Sequence, residues 1–204
     1  MNNKGLTLIE VIAVLVVLSI IALIVTPNIA VSINDYKERI LESQLSSVKG
    51  ATKNWVADNI EKVTCASDDL SALMVDLNTL YTGAYIDDKL LNSNGGHLYA
   101  DKTFGLVACK VIEDETNNYA TNYKYEYGAY LDVDDYLKKM AIEYVKDHTK
   151  YNADVSTDDL KGDGYIYQSI VKTNGSFVTI PEKTIAVTVD NSSDGSTTYS
   201  ATIK

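Results

Sequence analysis

The chain has 204 residues, enough for one domain and at most a small second one. Its formal charge is -10, from 28 acidic against 18 basic residues, and no basic patch is present, so direct nucleic-acid binding is not expected. Two cysteines, Cys65 and Cys109, are too few for a disulfide scaffold and lack zinc-ligand spacing.

Apolar residues gather near the N-terminus, where only Ser19 interrupts the run from Val11 to Val25. Lys4 and Gly5 precede this run and no small-residue cleavage site follows it. It therefore differs from an ordinary secretory signal and is expected to stay in the mature protein. As a helix, residues 6–26 would span roughly 31 Å, close to the thickness of a bilayer core. Glu10 lies inside that stretch, where a carboxylate is costly and marks function.

Lys4-Gly5-Leu6-Thr7-Leu8-Ile9-Glu10 and the apolar run after it resemble the type IV prepilin signal. The resemblance implies that a dedicated aspartic peptidase cuts after Gly5 and methylates the new N-terminus on Leu6. It also implies an assembly role for Glu10. Pro27 matches a proline common in these helices, whereas the family more often has Phe where this chain has Leu6. The partners implied are identical or related pilin subunits, the prepilin peptidase and an inner-membrane assembly platform. The implied location is the cytoplasmic membrane, in single-pass form, before assembly, and an extracellular surface filament afterwards.

Beyond Pro27 the pattern becomes amphipathic. Ile33, Tyr36, Ile40, Leu41, Leu45, Val48, Trp55, Val56, Ile60 and Val63 recur at three- and four-residue steps. One helix is predicted from about Leu6 to Val63, with a kink or local melting near Thr26 to Ala30. Cys65 and Cys109 can form one disulfide if this part lies outside the cytoplasm; a reducing habitat would leave free thiols. Asp68-Asp69, followed by Leu70, Leu73, Met74, Leu77 and Leu80, predicts a short helix with an acidic start. Gly83-Ala-Tyr85-Ile86 through Leu91 resembles a stretch of Gram-positive pilins and competence pseudopilins. Residues 98–112 and 119–130 read as strands, with a turn at Glu113 to Asn118. Tyr119, Tyr123, Tyr125 and Tyr127 should share a sheet face.

A weak repeat follows. Asp134 to Lys150 predicts a second helix, with Tyr136, Leu137, Met140, Ala141, Tyr144 and Val145 on one face. Leu160 to Ile166 echoes Leu80 to Ile86, and Ala186 to Ile203 echoes Ala108 to Tyr127. The order resembles a dual-pilin arrangement. The predicted class is thus α+β, a long N-terminal helix packed on an antiparallel sheet head with a duplicated pilin-like unit. Its divisions are a leader at 1–5, a transmembrane and filament-core helix at 6–33, a pilin head at 34–130 and a second helix-plus-hairpin unit at 131–204.

Enzymatic chemistry is not expected. His97 and His148 are the only histidines, and no nucleophile elbow, phosphate loop or zinc-protease motif is present. No cofactor is called for. The best metal candidate is a weak calcium loop at Asp190, Ser192 and Asp194, whose closing acidic position holds Ala201; a hairpin turn explains the same residues. Fifteen tyrosines against two phenylalanines suit a thin core that reaches solvent. The leading reading is a structural subunit of a type IV pilus, minor or adhesive if the head is doubled. The alternatives are a pseudopilin of a DNA-uptake or type II secretion system and a membrane-tethered extracytoplasmic binding protein.

Overall fold

The computed structural model describes residues 8–66, 71–87, 98–113, 121–149, 151–192 and 195–204; the side chains of 21–35, 66, 112, 113, 121 and 122 are not described. The chain is α+β and divides into two compact units, Met1–Glu42 and Ser43–Lys204. Helix α1 runs from Leu8 to Asp58 and supplies all the described structure of the first unit. It is helical without a break through Pro27, so the melting expected near Thr26 to Ala30 does not occur. Proline removes a single intrahelical N–H bond, and intact turns on either side can hold the helix together. A single turn of 3-10 helix, Ile60–Lys62, follows Asn59, so the helical region ends close to the predicted Val63.

The second unit is layered. Strands β1 (Cys65–Ala66), β2 (Ser71–Asp76), β3 (Phe104–Glu113), β4 (Thr121–Tyr130), β6 (Ser169–Lys172) and β7 (Phe177–Val178) form a six-stranded sheet. Strand β4 occupies one edge of β3 throughout, while β2 and then β1 lie along the other. A three-stranded sheet holds β5 (Ala153–Ser156), β8 (Thr184–Asn191) and β9 (Thr197–Ile203) in the order β5-β8-β9. The second predicted helix is present as α3 (Val133–His148), with Asp132 accepting the Asp135 N–H at 2.8 Å as its N-cap.

Alternation along the strands fixes the packing. Leu73, Val75 and Val107 point to one face of the larger sheet and pack with Val48, Ala51, Trp55 and Val56 of α1. Ala72, Met74, Phe104 and Leu106 point to the other face and pack in one cluster with Tyr136, Leu137, Ala141 and Val145 of α3. That cluster continues into Val155, Ile185 and Val187 of the smaller sheet, so α3 lies between the two sheets. Where α1 meets β3, Thr52 sits over Gly105, and a Cβ there would run into the threonine hydroxyl.

The helix predicted over 68–80 is corrected. Ser71–Asp76 is a strand, and only Leu77–Thr82 is helical, as α2; residues 67–70 lie outside the described residues. Strand β2 is covered on both faces, so its apolar residues need not alternate. A short continuous apolar run cannot be told from a buried helix by periodicity. The strands predicted at 98–112 and 119–130 are present as β3 and β4, although Leu98 to Thr103 is a turn-bearing approach rather than strand. Tyr123, Tyr125 and Tyr127 share the α1 face of β4, and Tyr119 lies outside the described residues.

One pattern recurs at a spacing of eighty residues. Asp76 pairs with Phe104 at the end of β2, and Ser156 with Thr184 at the end of β5. Both strands lead into one short helix, α2 or α4 (Thr157–Gly162), capped by Asp76 or Ser156. Leu77 N–H donates to Thr103 O at 3.1 Å, and Thr157 N–H to Lys183 O at 3.0 Å. After each helix the chain turns through a positive φ, 59° at Ala84 and 76° at Gly164. Tyr85 then donates its N–H to Leu80 O at 2.9 Å, and Tyr165 to Leu160 O at 2.8 Å.

These positions make two predictions for chemical unfolding. Gly105→Ala should lower stability by about 1–3 kcal/mol, because Thr52 is itself buried and held by its bond to Val48 O. Ala84→Gly should raise stability by about 1 kcal/mol, since an L-residue in the left-handed region is strained and glycine is not.

Candidate assembly surface

The N-terminal part of α1 has an apolar surface on every side. Leu8 is 78% exposed and Ile9 76%, and Val11, Ile12, Val14, Leu15, Val16, Val17, Leu18 and Ile20 are exposed as well. A helix apolar all round requires a membrane or a protein core around it. Glu10 lies in its first turn and is the acidic residue there. Ser19 turns its hydroxyl back onto Leu15 O at 2.7 Å, which removes a donor from the surface. Gly5 and Leu6 lie outside the described residues, as does the side chain of Pro27. Among the described residues no helix is long and apolar enough to cross a membrane.

The second unit carries a different chemistry, built on tyrosine. Tyr85 donates its hydroxyl to Asp58 at the end of α1, at 2.9 Å. Tyr165 donates to Asp147 near the end of α3, at 2.8 Å. Tyr85 thus latches its loop onto α1, and Tyr165 latches its loop onto α3. The same bonds raise both phenol pKa values, Tyr165 to about 12, because a neighbouring carboxylate favours the protonated form. His148 stacks on Tyr144 at 4.2 Å between ring centroids and lies edge-on to Tyr165. Burial raises Tyr130 and Tyr136 further, and Tyr136 accepts the Tyr167 N–H at 3.2 Å.

Compared with known families, residues 1–26 match the model described as the prokaryotic N-terminal methylation motif. This is the type IV prepilin-like signal, and the chain fits the pilin and pseudopilin family. Compared with curated proteins and with solved structures, the chain has no match. A type IV pilin-like prepilin belongs to a structural family, and its motif implies processing by prepilin peptidase and assembly with other pilins.

The remaining sequence candidates lie in the second unit of this pilin-like chain. Cys65 and Cys109 are direct partners across β1 and β3 and are joined as a disulfide, with Cα atoms 4.5 Å apart. Strand β1 has only two residues, so this bond is its principal covalent tie to the sheet. Asp190 pairs across the ladder with Thr198, and Ser192 closes a hairpin turn through its N–H bond to Ser196 O at 2.8 Å. Asp194 and His97 lie outside the described residues. Among the described residues no group of three or more His, Cys, Asp or Glu side chains could hold a metal ion. Asp158 and Asp159 start α4, where Asp159 and Ser156 form a reciprocal cap. The tyrosine latches escaped sequence reasoning. Their one sequence signal, Tyr at matching places in the two echoed stretches, does not name the carboxylate each would meet.

The Tyr165 latch has an alkaline signature. Its folded pKa is raised, so its contribution is complete below the ordinary tyrosine value near 10 and is lost as pH rises towards about 12. Tyr165→Phe should therefore be less stable than the parent at neutral pH, with the difference narrowing over that window. Urea unfolding at stepped pH, with phenolate absorbance as a second readout, would measure it.

Proposed function

We propose that this chain is a structural subunit of a type IV pilus, made as a membrane prepilin, cleaved after Gly5 and polymerised through its N-terminal helix. The observation that carries the reading is the all-round apolar surface from Leu8 to Ile20, directly behind the methylation signal. The sequence continues that apolar character to Val25, long enough for a membrane anchor before assembly. The same surface serves as filament core once subunits bundle. The assembly platform of the inner membrane and the peptidase are then its processing partners, and the cell surface is its destination.

Residues 34–130 and 131–204 are read as two pilin-like units. The support is the recurrence at eighty residues of ladder register, cap, turn and latching tyrosine, each repeat preceded by its own helix. A doubled head is more than a repeating shaft subunit needs, which favours a minor or adhesive pilin. The pseudopilin reading rests on the same signal, and gene neighbours or surface filaments labelled by immunogold would separate the two. A purified chain that holds a ligand and never enters filaments would favour a tethered binding protein instead.

Glu10 is assigned as the register device of assembly. Cleavage after Gly5 leaves a methylated, cationic amine on Leu6, and in the filament core the amine of an adjoining subunit is the partner for this carboxylate. Leaving one buried charge of such a pair alone costs about 3–5 kcal/mol, so one axial stagger between neighbours is preferred. Glu10→Val should keep cleavage and membrane insertion but fall sharply in sheared filaments, and Glu10→Gln should do nearly as badly. Gly5→Val should accumulate the uncleaved form. Blots of cell and filament fractions test both; normal filament entry by Glu10→Val would sink the assignment.

A further inference from the structure

We infer that the open edge of β9 is a pairing site for the same edge of a second copy, joining two three-stranded sheets into one. The inference goes beyond polymerisation through the N-terminal helix and uses a different surface.

Strand β9 is an edge strand, for β8 is its sole partner among the described residues. Which backbone groups it leaves open follows from the ladder. Thr188 lies opposite Ser200, Lys204 N–H donates to Thr184 O at 2.9 Å, and Ser192 N–H donates to Ser196 O at 2.8 Å. Even-numbered residues of β9 therefore turn their N–H and C=O groups towards β8. The groups of Thr197, Tyr199, Ala201 and Ile203 point to the open edge.

Edges of this kind are normally guarded by charge, proline, bulges or shortness. The other edges here follow that rule. Strand β4 carries the ion pair Lys124–Glu126 at 2.6 Å, β7 has two residues, and β5 has four, with Asp154 bound to Lys204. Strand β9 reads Thr-Thr-Tyr-Ser-Ala-Thr-Ile, seven residues with no charge, proline or glycine.

The sequence of β9 complements itself in antiparallel register. With Ser200 opposite Ser200 of the second copy, Tyr199 faces Ala201 and Ile203 faces Thr197, a large side chain against a small one each time. These side chains are half-buried apart from the exposed Thr197, and lie on the face that carries the apolar core, so a second copy would extend that face. On the outer face Thr198 meets Thr202, a favourable cross-strand pair. Among the strand's own residues no like charges meet. Two copies, rather than an unrelated peptide, satisfy all these positions at once.

The register makes the test direct. Ser200 would face its mate as a non-hydrogen-bonded pair with Cα atoms about 4.5 Å apart, within disulfide reach. The full-length chain in detergent, carrying Ser200→Cys, should form a covalent dimer under mild oxidation. Its yield should be roughly tenfold above Thr184→Cys, which is exposed on the same sheet but lies on β8. Adding Ala201→Pro removes an outward N–H without touching the β8 ladder, and should cut the dimer to the Thr184→Cys level while circular dichroism is unchanged. If that variant misfolds, Thr197→Pro at the first position of the strand replaces it. Equal dimer yield from Ser200→Cys and Thr184→Cys, dimer that survives the proline in a folded chain, or crosslinking to a foreign chain instead of a second copy would each overturn the inference.

Discussion

The larger sheet is apolar on both faces, and the second unit is organised by the need to cover them. Leu73, Val75 and Val107 require one helix, and Ala72, Met74, Phe104 and Leu106 require another. Fully burying such side chains contributes roughly 1.5–3 kcal/mol each, so an uncovered face would cost much of the stability of a domain this size. The chain supplies α1 for the first face and α3 for the second. Because α3 also packs on Val155, Ile185 and Val187, the smaller sheet is fixed by the same requirement.

Glycine and tyrosine set how closely these layers approach. Gly105 lets α1 settle with Thr52 directly over β3, where any side chain would hold the helix away. Tyrosines then close the margins. Tyr130 meets Tyr136 edge-on at 4.8 Å between the sheet and α3, and Tyr85 and Tyr165 reach carboxylates at the ends of their helices. A phenol can bury its ring and keep its hydroxyl bonded at the rim. That accounts for a layered head using tyrosine where phenylalanine would otherwise serve, in a chain with fifteen tyrosines and only two phenylalanines.

The N-terminal part of α1 obeys the opposite logic. Within Ser43–Asp58 the helix has a buried face and a solvated one, whereas Leu8 to Ile20 is apolar all round and exposed. One helix thus contains a segment that completes the fold and a segment whose apolar side chains are exposed. The methylation motif lies on the second of these.

Local chemistry was enough to read the signal at Lys4 to Glu10, the amphipathic change after Pro27, and the helix at Val133–His148, because each is carried by short-range periodicity or a motif. The echo between Leu80–Ile86 and Leu160–Ile166 was legible for the same reason, since it lies in turn-forming residues at matching spacing. The strand at Ser71–Asp76 was not. Its near-continuous apolar run fits a helix as well as a strand covered on both faces, and only pairing with β3 and β6 decides between them. The partners of Tyr85 and Tyr165, the seat of Thr52 over Gly105 and the open edge of β9 likewise depend on segments far apart in the chain. Side-chain type sets what each residue can bond; which partner it meets is a property of strand register, which joins segments far apart in the chain.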